Sequence, residues 1–139
     1  DASPTLLQRY HLLQSLLDAL GTARAQIEET LSSISPLQRF PDADAEQRER
    51  WEDELEAAVE AEYRRRRGEF LAGVHAWLRD LWMLRIGSGT EAALPQLAEL
   101  STRISQRLPV DAARANLERW ERTQRLLLGT NAQEALVLE

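Results

Sequence analysis

The stretch AEQRERWEDELEAAVEAEYRRRRGEFLAGVHAWLRDLWMLRI, residues 45–86, contains no proline, and its reading decides the fold. As a single helix rising 1.5 Å per residue it would be about 60 Å long. Turning 100° per residue from Tyr63, the side chains of Trp51, Leu55, Val59, Phe70, Val74, Trp77, Leu81 and Leu84 fall on one slowly drifting stripe. Before Phe70 the helix is amphipathic. After it a second apolar flank appears, with Leu71, Leu78, Trp82 and Ile86, so the helix becomes apolar nearly all round. A helix of that kind is central and is touched by neighbours on several sides.

Upstream, Leu6, Leu7, Tyr10, Leu13, Leu16, Leu17 and Leu20 recur at helical spacing behind a start signal at Ser3 and Pro4. Gly21 marks a stop or a kink, and Ala23, Ile27, Leu31 and Ile34 carry the helix, or its successor, to Pro36. "SPLQRFPDADAE", with Pro36 and Pro41, is the most loop-like stretch. Downstream, "GSG" at 87–89 ends the long helix, and a short helix is predicted around Leu94 to Gln106, with Leu97, Ala98, Leu100 and Ile104 facing inward and Pro95 blurring its start. Val110 to Leu128 reads as helix with Ala113, Leu117, Trp120 and Leu127 on one side, and Gly129 suits a C′ position. Asn131, three residues before Glu134, opens a final helix with Leu136 and Leu138.

Leucine, alanine, arginine and glutamate dominate, and no segment alternates with period 2, so the expected fold is all-α: a helical bundle of about five to six helices with one long central helix. At 139 residues, residues 1–139 are read as a single domain. The opening Asp-Ala-Ser-Pro, without methionine, suggests a domain excised from a longer protein.

Charge and composition exclude several functions. The chain carries 23 acidic residues against 17 arginines and no lysine, for a net charge of −6, so its surface as a whole repels phosphate. It has no cysteine, which rules out disulfides and thiolate chemistry. His11 and His75 stand far apart in sequence, and no Glu-x-x-His pair exists, so a metal-dependent enzyme built in a helix bundle finds no support. No apolar run reaches the roughly 20 residues needed to span a bilayer, and no signal peptide opens the chain; the cytoplasm is the expected compartment.

Arg64, Arg65, Arg66 and Arg67 invite comparison with a nucleic-acid grip, but on a helix they point about 100° apart and form no common basic face. Glu60 precedes Arg64 by four residues, Glu62 precedes Arg66 by four, and Glu69 follows Arg65 by four, so local ion pairs are expected. Arg66 shares the stripe of Val59, Phe70 and Trp77; it reaches water, meets a carboxylate or faces a partner chain. The acids of "EDELEAAVEAE" (52–62) mostly avoid the apolar stripe and read as a solvated face rather than a catalytic pair. His75, on a largely apolar helix near Trp82, reads as a packed, hydrogen-bonded core histidine rather than a base. Arg79 and Asp80 lie in the segment that is apolar all round, where an unpaired charge is costly, and need separate polar partners. No phosphate loop, nucleophile elbow, zinc pattern or dinucleotide fingerprint occurs, so catalytic, cofactor and metal residues are all assigned as none.

Two segments carry a family resemblance. "FLAGVHAWLRDLWMLRIG" (70–87) resembles the central helix in the C-terminal domain of delta prime subunits of bacterial DNA polymerase III clamp loaders: an apolar helix with a tryptophan or leucine, then Arg-Asp, leucines and a terminal glycine. "LERWERTQRLLLGTNAQEALVLE" (117–139) is similar to that domain's last two helices, joined by an asparagine-centred turn. The likeness covers about half the chain, and the order of the motifs carries more weight than either alone. The gamma/tau subunits share this collar fold. The resemblance implies a helical oligomerisation domain with no activity or cofactor of its own, in a subunit of the polymerase holoenzyme whose AAA+ modules lie upstream. It implies other clamp-loader subunits as partners, contact with the sliding clamp and primer-template DNA only through the full complex, and neither a membrane nor a small-molecule substrate. The family's arginine finger lies upstream, so residues 64–67 do not take that role. Arg66, Trp77, Trp82 and Arg85 are then the candidate interface residues. The alternative from another class is a stand-alone helical interaction or regulatory module.

Overall fold

A computed structural model describes residues 6–129, and every described secondary-structure element is helical. In order they are α1 (Leu6–Ile34), α2 (Pro36–Arg39), α3 (Ala45–Ile86), a 3-10 turn (Pro95–Leu97), α4 (Ala98–Ser105) and α5 (Val110–Gly129). The fold is all-α with α3, 42 residues long, as its central helix. Contacts divide the chain into two compact units, Asp1–Gly68 and Glu69–Glu139, and α3 contributes to both. The start signal at Ser3 and the final helix predicted from Asn131 fall outside the described residues.

In the first unit α1 continues through Gly21 instead of stopping there. A helical glycine costs only about 1 kcal/mol against alanine, and the Leu-Ala-rich flanks absorb that. Leu20 and Ile27, on either side of Gly21, are both buried. Ile27 packs with Val59 and Tyr63 of α3 to form the core of this unit, with Leu31 and Leu55 at its edge. The expected loop contains one helical turn, α2: Ser35 is extended and buried, its Oγ accepts from Leu37 N at 3.3 Å, and Pro36 takes the first helical position, where no N–H is needed. Asp44 then caps α3, its Oδ1 accepting from Gln47 N at 2.8 Å.

In the second unit α3 ends where "GSG" predicts. Gly87 and Gly89 both have φ of +64°, Ser88 N donates to Met83 O at 3.2 Å and Gly87 N to Leu84 O at 3.3 Å. This paired 6→1 and 5→2 closure needs a left-handed residue after the helix, which glycine supplies without strain. From Leu71 to Met83 every residue but Ala72 is buried or half-buried, as a helix with neighbours on several sides requires. The α5 face also follows the sequence pattern, with Ala113, Leu117 and Leu127 buried and Trp120 half-buried. The short helix departs from it. Leu97 and Ile104 are half-buried, but Ala98 and Leu100 are exposed, and the deepest residues are Ser101 and Ser105. The inward face is rotated onto small polar side chains whose hydroxyls find partners inside the unit.

Candidate interaction surface

Asp80 organises the second unit. Its side chain is 3% exposed, and its two oxygens accept from Ala93 N and Leu94 N, each at 2.9 Å. Those N–H groups belong to the chain entering the 3-10 turn, where helix formation leaves donors without intrahelical acceptors. The carboxylate thus fastens the returning chain to the side of α3, and Arg79 Nη1, 3.6 Å from Asp80 Oδ1, offsets its charge. Asp80 does meet a polar partner on the next element, as its position in an apolar helix required. Contrary to the expectation of separate partners, Arg79 pairs with it as well.

Two indoles tie the remaining elements to α3. Trp77 Nε1 donates to the Oγ of buried Ser101 at 3.0 Å, and Trp120 Nε1 donates to the Leu71 carbonyl at 3.2 Å. His75 is no enclosed core histidine: it is half-buried, with Nε2 3.2 Å from Glu121 Oε1 on α5. Asp80, Ser101, Thr102, Met83 and the 87–90 turn line a cavity of about 150 Å³. The Asp80 carboxylate is committed to backbone donors, and no histidine or arginine is among the described residues that line the cavity. Among the described residues no cluster of three or more histidines or carboxylates could hold a metal ion, and no helix is long and apolar enough to cross a membrane.

The four candidate interface residues have different surroundings. Trp77 is turned inward and serves α4. Trp82 and Arg85 are half-buried near the C-terminal end of α3, and Arg85 Nε is enclosed without a hydrogen-bond partner among the described residues. Ile86, 47% exposed, stands one turn after Trp82 and next to Arg85, whereas Leu84, also 47% exposed, belongs to the first stripe and points away from them. Arg66 belongs to the first unit, is exposed, and its Nε donates to Glu62 Oε1 at 3.2 Å.

The other arginines of that block separate as the helical projection requires. Arg65 makes a two-pronged contact with Glu62, at 2.7 and 3.0 Å, and these bonds, with the one from Arg66, hold the Glu62 carboxyl down at about 2. The Arg67 guanidinium lies 5.9 Å from the Tyr63 ring centroid, and Arg24 of α1 lies 5.1 Å from it. Glu60, expected to serve Arg64, instead bonds to Arg24 across the unit. That bond lowers the Glu60 carboxyl and raises the Arg24 guanidinium, while Arg64 acts on Glu60 only as a nearby charge. A tertiary partner displaced the i,i+4 one because α1 brings a guanidinium to the same carboxylate. Within the block Arg65 and Arg66 are thus ion-paired to Glu62, and Arg67 lies over the Tyr63 ring.

No family profile, curated protein or solved structure matches this chain.

Proposed function

We propose that the chain is a subunit-assembly domain of a bacterial replicative clamp loader, of the delta prime collar type, acting in the cytoplasm by contact with other subunits rather than by catalysis. One observation carries this reading. The second compact unit begins at Glu69, and the segment resembling the collar's central helix begins at Phe70, so the likeness starts where that unit starts. The Arg-Asp pair of that motif supports it further, since Asp80 has the structural task of anchoring the chain that leaves the central helix. Trp82, Arg85 and Ile86, at i, i+3 and i+4 spacing on α3, would meet a neighbouring subunit, where an aromatic and an arginine are effective anchors.

Co-expression of the whole protein with the other clamp-loader subunits tests the assignment. It is expected to enter the complex, and Trp82→Ala or Arg85→Ala to reduce its incorporation while leaving helicity unchanged. Failure of the unmodified protein to enter the complex would sink the proposal.

A further inference from the structure

The first unit has a surface that the assembly reading does not use. Phe40, 58% exposed, lies against half-buried Trp51 with ring centroids 6.0 Å apart. Together with Arg39, Pro41, Asp42 and Ala43 they line an open cavity of about 410 Å³. An aromatic side chain can lie exposed on a loose loop for no reason, but this loop is fastened. Phe40 N donates to Pro36 O at 2.9 Å, Ala43 N to Phe40 O at 3.3 Å, and Arg48 Nη1 on α3 to Pro41 O at 2.9 Å. The backbone is fixed before anything binds, so an occupant would incur little ordering cost at this site.

The surrounding charge selects the occupant. Arg39 lines the cavity too, and residues 39–56 together hold eight carboxylates and three arginines, a balance of −5. Glu46 pairs with Arg50, and Arg48 is held at the loop, which leaves Asp42, Glu49, Glu52, Asp53, Glu54 and Glu56 exposed with no ion pair among the described residues. A face of this sign repels nucleic acid and anionic lipid and draws cations.

We infer that the Phe40–Trp51 cavity is a docking site for a cationic amphipathic segment of another protein, which seats an apolar side chain against the two rings and sets flanking arginines or lysines against Asp42, which lines the cavity, and against Glu52 and Glu54, the exposed carboxylates nearest Trp51 on α3. The rings supply the anchor, while the carboxylates speed encounter and fix orientation. The inference does not depend on the clamp-loader assignment, because the site lies within the unit that the resemblance does not cover.

The test uses the whole chain and three synthetic 15-residue peptides: one with leucines at helical spacing among arginines, one with those leucines replaced by serine, and one with the arginines replaced by glutamate. The readout is the Trp51 indole N–H signal in a ¹H–¹⁵N NMR spectrum, identified by its loss in Trp51→Phe. The leucine–arginine peptide is expected to shift that signal with a Kd on the order of 10–100 μM at low salt. The serine peptide and Phe40→Ala should each weaken binding about tenfold, and the glutamate peptide should not bind. The combined Asp42→Asn, Glu52→Gln, Glu54→Gln variant, which touches only exposed side chains, should weaken it as well. The site is not a docking groove if no shift occurs, if the three peptides behave alike, or if Phe40→Ala leaves the affinity unchanged. Two further outcomes also overturn the inference. A dimer that Phe40→Ala dissociates would make a second copy the occupant, and a site that takes the peptide only after deletion of residues 130–139 would make the chain's own tail the occupant.

Discussion

Replacement of Asp80 is the most discriminating perturbation. Asp80→Ala removes two charge-assisted hydrogen bonds, at 2.9 Å each, from a carboxylate that is 3% exposed. Bonds of this type contribute about 1.5–3 kcal/mol each. Ala93 is exposed, so part of what its N–H loses is returned by water, which argues for the lower end. The expected loss is about 3 kcal/mol, a large share of the stability of a unit this size. At about 4–8 °C per kcal/mol for a small domain, the melting temperature of the second unit should fall by about 15 °C. Asp80→Asn keeps the shape and one acceptor but turns an amide N–H₂ towards the other backbone donor, and should cost about 2 kcal/mol. Guanidinium denaturation followed by near-ultraviolet circular dichroism gives the magnitude, and amide hydrogen exchange at Ala93 and Leu94 gives the place. Those two amides should be protected in the unmodified protein and exchange freely in Asp80→Ala. The reasoning fails if Asp80→Ala costs less than about 0.5 kcal/mol, or if both amides already exchange at unprotected rates in the native chain.

Trp77→Phe and Ser101→Ala each leave a buried polar atom without its partner and should destabilise the second unit by about 1–2 kcal/mol. The double substitution should cost clearly less than the sum, which a denaturation cycle reads directly. Acid should weaken the first unit. The Glu62 carboxyl is lowered from 4.5 to about 2 and Glu60 is lowered too, so their contribution is complete above the ordinary value and is lost as pH falls from 4.5 towards 2. Urea denaturation at a series of pH values should show this slope, and Glu62→Gln should flatten it. Gly68 lies within α3, and an added Cβ would meet nothing within 4 Å. Gly68→Ala should therefore raise stability by about 0.5–1 kcal/mol in thermal denaturation.

What could be read in advance is what repeats along a helix. The span of α3, its stop at Gly87, and the buried side of α5 all follow from periodicity and glycine placement. The bond from Arg66 to Glu62 was equally visible, because both residues stand on one helix at a spacing that sequence reports. The bond from Glu60 to Arg24 was hidden, since the partner lies 36 residues away and only the packing of Ile27 on Val59 and Tyr63 brings it near. The inward serines of α4 were hidden for another reason. A pattern of apolar side chains cannot show that Trp77 needs an acceptor and that a leucine facing it would offer none. Of the candidate surface, Trp82 could be named as a residue of the second flank, and Arg85 only through the family resemblance. That Asp80 holds Ala93 and Leu94 could not, because backbone donors leave no mark in a sequence.

The clasp at Asp80 also has a place in time. It joins residues 13 and 14 positions apart, whereas the ties of α5 to α3, Trp120 to Leu71 and His75 to Glu121, span 49 and 46. Closing a short loop loses less chain entropy than closing a long one, and contacts near in sequence form sooner. The Asp80 carboxylate is therefore expected to gather the end of α3 and the start of α4 into an early hairpin, on which α5 docks last. Substitution at Asp80 should then slow folding, while weakening the Trp120 bond should mainly hasten unfolding.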